Sequence, residues 1–247
     1  MQLERLKGIV SYRGTSYKGF QRQADQRTIQ GELEGAILRI TSEERTVIGA
    51  GRTDAGVHAV GQVIAFDTSS STGPEHLARH INGVLPEDIR LRSLERTWSR
   101  FHPGKDAVSK TYRYLLRRTT ATPLFSRDAY LEVEPGLDLE RMRSTAEIFL
   151  GEHDFFNFSA RGSVKGPTIR RIDGIEVFED GPFAALDFRG PGFLYKMVRF
   201  LVSALLDEAR SEIDRAELKR LLKSSREEKR LDPAKAGGLY MLKVEYA

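Results

Sequence analysis

Cysteine is absent from the chain. Disulfides, thiolate nucleophiles and cysteine metal sites are thereby excluded. No apolar run reaches the roughly 18 residues that suggest a membrane span. The opening stretch, MQLERLKGIVSYRG, lacks the apolar core of a secretory signal. The expectation is a protein that stays where it is made, in the cytoplasm, without a membrane partner. Low-complexity segments and short repeats are also missing. Charge of one sign is scarce: 39 Lys and Arg stand against 35 Asp and Glu, a net of +4. That excess permits nucleic-acid binding without establishing it.

What is present is a longer duplication in the order of elements. Residues 6–12 read as a strand, 28–40 as a helix with Thr28 as N-cap, and 46–50 and 60–67 as strands. Residues 74–82 read as a helix with proline at its first position, and 89–98 as a strand. The second half repeats the order. Its strand is 110–118, with a possible addition at 129–133, and its helix is 138–150, capped by Asp138 and stopped at Gly151. Strands at 170–178 and 183–188 face each other across an EDGP turn. A helix at 194–209 is apolar nearly all round, an extra helix covers 214–223, and 238–246 is the last strand. The fold class is α+β: two tandem ferredoxin-like (β-α-β-β-α-β) subdomains, residues 1–102 and 103–247, whose sheets are expected to join edge to edge.

The most informative segment is GAGRTDAGVHAVGQVIAF, residues 49–66. Small residues surround Arg52, Thr53 and Asp54, so the backbone can turn sharply and a large ligand can come close. A plain surface turn, with Asp54 bonding its own backbone, is the alternative. A phosphate loop does not fit, because the Lys-Ser/Thr ending and the long following helix are missing.

GRTDAGVHA resembles the catalytic motif of the tRNA pseudouridine synthase A family. SYRGTSYKGFQRQ, TIQGELE, INGVLPEDI, KTYRY, GEHDFFNF, GFLYKMVR and GLYMLKVEY resemble further family segments, in the family's order along the whole chain. The chain departs from the family pattern at Arg13, Phe200 and Ser203, and in the spacing of DPAKAGGLYML.

The resemblance implies the pseudouridine synthase fold and a cofactor-free isomerase that turns uridine into pseudouridine on the 3′ side of the tRNA anticodon stem-loop. It also implies a homodimer, with tRNA as the partner and no metal or small-molecule cofactor. By that resemblance the catalytic residues are Asp54, Tyr112 and Arg199. Asp54 is the carboxylate at the sugar, and Tyr112 stacks on the target uracil and assists proton movement. Arg199 pairs with Asp54 and keeps it ionised. Arg52 guides the extruded nucleotide, and Lys110 and Arg170 join Tyr112 in binding substrate.

Read from spacing alone, Tyr112 packs a strand face that it shares with Tyr114. The alternative for Arg199 is a side chain reaching solvent along its stem. Around these residues Arg113, Arg117, Arg118, Arg161, Lys165, Arg171, Arg189 and Lys196 form basic clusters with interleaved aromatics. These suggest a phosphate-tracking groove, or else charged, solvated strand edges. His76 and His80 stand four apart without a third ligand, which favours a helix surface over a metal site. His102 is read as interdomain packing or an RNA contact.

Two other classes compete with the enzyme: an RNA-binding module, and a glycosidase, which would need paired carboxylates that the Asp54 loop lacks. If the groove reading holds, tRNA affinity falls about tenfold or more between about 50 and about 200 mM salt. A filter-binding titration measures this, and a flat curve argues against the groove.

Overall fold

The computed structural model of the protein describes residues 3–118, 128–160, 166–224 and 231–247. Its strands are β1 (Glu4–Tyr12), β2 (Ile48–Gly49), β3 (His58–Thr68), β4 (Ile89–Arg96), β5 (Ala107–Arg118), β6 (Leu131–Val133), β7 (Gly151–Asp154), β8 (Ile169–Ile172), β9 (Gly174–Asp180), β10 (Phe183–Gly190) and β11 (Leu239–Tyr246). Its helices are α1 (Ile29–Thr41), α2 (Pro74–Val84), α3 (Leu139–Ala146), α4 (Met197–Ala209) and α5 (Arg215–Lys223). The architecture is mixed α+β. Two compact units are present: Met1–Val108 with Tyr240–Ala247, and Ser109–Leu239. The segments read from sequence, 1–102 and 103–247, differ from this division in two places. Residues after the Pro-Gly pair at 103–104 stay with the first unit, and the C-terminal strand returns to it. Hydrogen bonding and ring packing explain the return. β11 pairs in parallel with β3 (Tyr240 opposite His58, Met241 opposite Ala59), and the Tyr246 hydroxyl donates to the Pro103 carbonyl at 2.9 Å. The Tyr246 ring meets buried Phe101 edge to face at 5.1 Å.

In the first unit the strands run β4-β1-β3, with β2 pairing β3, as a ferredoxin-like repeat requires. α1 begins where its sequence says: the Thr28 hydroxyl accepts from Gly31 N, and Ile29, Leu33, Ala36 and Ile37 are buried on one face. α2 starts on Pro74 and buries Leu77, Ala78 and Ile81. Two register shifts shape the sheet. Between β1 and β4, Ile9 faces Ser93 but Val10 faces Leu91, so Arg92 is the extra residue. The Asn82 side chain satisfies the disrupted backbone there, donating to Leu91 O at 2.8 Å and accepting from Leu91 N at 2.9 Å. Between β1 and β3, Val10 faces Gln62 but Tyr12 faces Ala59, which puts the extra residue in β3 at 60–61. The end of β1 is thereby drawn to the point where β3 emerges from the preceding loop.

In the second unit β5, β10 and β9 form an antiparallel run in the order β5-β10-β9, and β6 adds in parallel to β5. The strand expected over 170–178 is two strands. β8 pairs with β7 in a separate ribbon, and only β9 pairs with β10. The helix expected over 138–150 ends at Ala146 and tightens into a 3-10 turn at Glu147–Phe149, before Gly151 at φ +88°. α4 carries the core of this unit, burying Met197, Val198, Leu201, Val202, Leu205 and Leu206. Its one buried carboxylate, Glu208, accepts from Arg141 at 3.0 Å and Thr145 at 2.8 Å, tying α3 to α4. Asn157, from GEHDFFNF, donates to the carbonyls of Leu221 (3.1 Å) and Ser224 (2.8 Å) that α5 leaves open at its end. No described helix is long and apolar enough to cross a membrane.

Glu43 stabilises the connection from α1 to β2. Its carboxylate accepts from Thr68 Oγ1 at 2.7 Å, Ser69 N at 3.0 Å and Arg45 Nε at 3.1 Å. Burial pushes this carboxyl up, but the hydrogen bonds of Arg45, Ser69 and Thr68 outweigh it and hold it at about 2. A depressed native value stabilises the fold above the unfolded carboxyl range, and that stability is lost as pH falls toward 2. Urea midpoints compared between about pH 5 and about pH 2 should therefore drop less steeply in Glu43→Gln than in the wild type.

Candidate active site

The loop between β2 and β3 carries Arg52 and Asp54, and several of its backbone groups are hydrogen-bonded. Ala50 N donates to Val63 O at 2.8 Å, and Gly51 O accepts from the Gln62 amide at 2.7 Å. Thr53 O accepts from Phe20 N at 3.0 Å, and Asp54 O from Val57 N at 3.1 Å, closing a turn whose Gly56 sits at φ +79°. Side chains alternate in exposure along the turn. Arg52 and Ala55 are exposed, Asp54 is half-buried and Thr53 is buried. The buried threonine faces inward, its Oγ1 lying 2.8 Å from the Tyr12 hydroxyl.

A second segment, residues 13–26, crosses this loop. Phe20 is buried, and Gly49 gives it room: a Cβ on Gly49 would lie 2.5 Å from the Phe20 ring. Gly19 adopts φ +95°, and a Cβ there would lie 2.7 Å from Thr53 O. Gly14 N donates to His58 Nδ1 at 3.1 Å, and the buried His58 ring stacks on Tyr240 at 4.8 Å. The segment is held from the other side by α1: Gln21 and the Arg22 backbone both donate to Gln30, and Gln30 donates to Glu34. The motifs SYRGTSYKGFQRQ and TIQGELE thus both brace the Asp54 loop.

The other expected site residues lie in the second unit. Tyr112, Tyr114 and Leu116 occupy the buried face of β5, and Lys110 shares that face by its register position. The Tyr112 ring meets Phe193 edge to face at 5.3 Å. Burial pulls the Lys110 ammonium below the usual lysine range. Arg199, in the first turn of α4, donates through Nε to Ala234 O at 2.6 Å, while its own carbonyl accepts from Ala234 N at 3.1 Å. Burial pushes the Tyr114 hydroxyl well above the tyrosine range, against the opposing effect of the Arg199 charge. That hydroxyl donates to Lys235 O at 2.7 Å, and Gly238 makes room for its ring. The segment DPAKAGG is therefore pinned to both β5 and α4, despite its unusual spacing. Arg170 sits on β8 and bonds locally, to the carbonyls of Pro167 (3.0 Å) and Ile169 (2.7 Å).

Several cations counted toward a groove are engaged within their own unit. Arg113 makes a two-pronged pair with Asp187 at 2.7 and 2.8 Å, Arg117 donates to the Tyr130 hydroxyl at 2.9 Å, and Arg118 pairs with Glu179. Arg171 pairs with Asp173 at 2.7 Å. Arg161 and Lys165 lie outside the described residues. His102 bonds locally. Its Nδ1 accepts from Gly104 N and Lys105 N and closes the turn after the first repeat. His76 lies 3.1 Å from Arg79, and no group of three ligating side chains occurs among the described residues. Tyr12 and Gln62, which support the Asp54 loop, were read from sequence only as strand residues. A glutamine in the middle of the apolar run VGQVIAF was the available signal, since an inward amide must find partners.

The chain is a mixed α+β protein with an aspartate on a tethered glycine-rich loop, and its similarity to known proteins gives its class. The family model described as tRNA pseudouridine synthase matches residues 9–102 and 145–247. The chain belongs to this family and is an enzyme of the isomerase class. Among similar curated proteins is a tRNA pseudouridine synthase A from Brevibacillus brevis, 38% identical over 99% of this chain and 100% of the relative. Proteins of the same name from Syntrophomonas wolfei and Oceanobacillus iheyensis are 39% and 38% identical, each over 99% of this chain and over 98% and 97% of the relative.

The crossing at Gly19 gives a direct test. Gly19→Ala should cost about 1–3 kcal/mol, because it combines a left-handed backbone with a side chain against Thr53 O. Urea unfolding measures the loss.

Proposed function

We propose that the protein converts uridine to pseudouridine in tRNA, on the 3′ side of the anticodon stem-loop, with Asp54 as the catalytic carboxylate. The observation that carries this reading is the Asp54 loop itself, in a chain of this family: a half-buried aspartate, backbone-tethered on both sides, next to an exposed arginine. In the proposed reaction the N1–C1′ bond breaks, the uracil turns, and a C5–C1′ bond forms. The C5 proton is released and N1 takes one up, so atoms and charge balance without any oxidant, reductant or transferred group. The demand on the protein is a negative charge beside C1′ as positive character develops there.

The target must first leave its stack. Exposed Arg52 has the planar cation suited to guiding it. Tyr112 supplies a ring against the uracil and a hydroxyl for proton movement. Lys110 and Arg170 bind the backbone, and Arg199 serves to keep Asp54 ionised. The same family reading carries a homodimer, which sedimentation velocity tests.

Tritium release from tRNA labelled at uracil C5 decides the central point. Asp54→Asn should abolish release while leaving tRNA affinity within about twofold, since it removes charge and little shape. Turnover equal to wild type would remove Asp54 from the mechanism.

A further inference from the structure

Three buried polar side chains lie behind the Asp54 loop, and the reaction does not use them. Gln62 is fully inaccessible in the middle of β3, Tyr12 is 4% exposed at the end of β1, and Thr53 is 6% exposed in the loop. Gln62 holds the loop entrance by two bonds, accepting from Ala50 N at 3.1 Å and donating to Gly51 O at 2.7 Å. The Tyr12 hydroxyl bonds to Thr53 Oγ1 and interacts with Gln62. Burial pushes that hydroxyl up to about 12, against the hydrogen bonds of Thr53 and Gln62, so it stays neutral throughout the working range. Buried and hydrogen-bonded to Thr53, it is a fixed dipole against the loop.

The order along the chain matters. Arg52, Thr53 and Asp54 are consecutive, and only the middle one points into the unit. Fixing Thr53 fixes the peptide on either side of it. Its carbonyl is bonded to Phe20 N and its hydroxyl to Tyr12, so the Thr53–Asp54 peptide has little freedom to rotate. A carboxylate acting at a transient cation loses much of its effect when displaced by about an ångström. Hydrophobic packing alone would not confer this directionality, whereas a buried hydrogen bond does.

We propose that Tyr12, Thr53 and Gln62 form a positioning chain that holds Asp54 in its reactive orientation, and that the chain acts on turnover and not on tRNA binding. The proposal rests on Asp54 being the catalytic carboxylate.

The test uses the full-length enzyme, single-turnover tritium release and tRNA filter binding. Tyr12→Phe keeps the ring and removes the hydroxyl, and Thr53→Val keeps the shape and removes the other partner. Each should lower kcat about tenfold with KM and tRNA affinity unchanged within about twofold. Thr53→Ser should restore most of the rate, and the double variant Tyr12→Phe/Thr53→Val should be no slower than either single one. If Tyr12→Phe no longer melts cooperatively, the Thr53→Val and Thr53→Ser pair carries the same comparison. Wild-type kcat in both hydroxyl deletions, alongside an inactive Asp54→Asn, overturns the positioning chain and leaves the catalytic reading standing. Equal losses in KM and affinity would mark the chain as merely structural. Turnover by Asp54→Asn would instead sink the reading on which the proposal rests.

Discussion

The Thr53 carbonyl is the contact on which the first unit's functional surface depends. It receives the Phe20 amide and lies beneath the left-handed Gly19. Two segments that are far apart in sequence, 13–26 and 50–57, are locked against each other there. The Cβ of any other residue at position 19 would force them apart. From this crossing follow the burial of Phe20 over Gly49, the inward turn of Thr53 toward Tyr12, and the outward placement of Arg52 and Ala55. A loop rich in glycine would otherwise sample many conformations at a high entropic cost. Here the bonds of Ala50 N, Gly51 O, Thr53 O, Asp54 O and Val57 N limit that freedom.

The second unit solves a different problem. α4 is apolar nearly all round and needs a full coat of neighbours, to which α3 and the turn at Phe156–Phe158 contribute. Its polar exceptions are accommodated individually. Glu208 is matched by Arg141 and Thr145, and Arg199 and the Ala234 backbone bond to each other in both directions. A buried carboxylate without such partners would carry a large desolvation cost. The expected strand over 170–178 breaks at residue 173, which keeps one bond to β10, its N donating to Arg189 O at 2.8 Å. β8 then finds its partner in β7 instead, a choice that no local periodicity records.

Legibility followed the range of the interaction. Helix caps at Thr28 and Asp138 were readable because a side chain bonds a backbone amide three residues on. Alternation on β5 placed Tyr112 and Tyr114 on one face, again a local relation. The roles of Asn82 and Asn157 were not readable, since each bonds an element distant in sequence. Nor was the pairing of Arg113 on β5 with Asp187 on β10. Charge clusters look alike in sequence whether they await phosphate or already hold carboxylate.

The sequence by itself determined the family, the repeated β-α-β-β-α-β order and the identity of the acidic loop. These depend on motif strings and local periodicity, which survive without coordinates. Tertiary structure alone decided that the last strand returns to the first unit, that Tyr12 and Gln62 stand behind Thr53, and which cations are already paired. Those outcomes are set by hydrogen bonds and close approaches between residues dozens of positions apart, where the chain's local pattern carries no information.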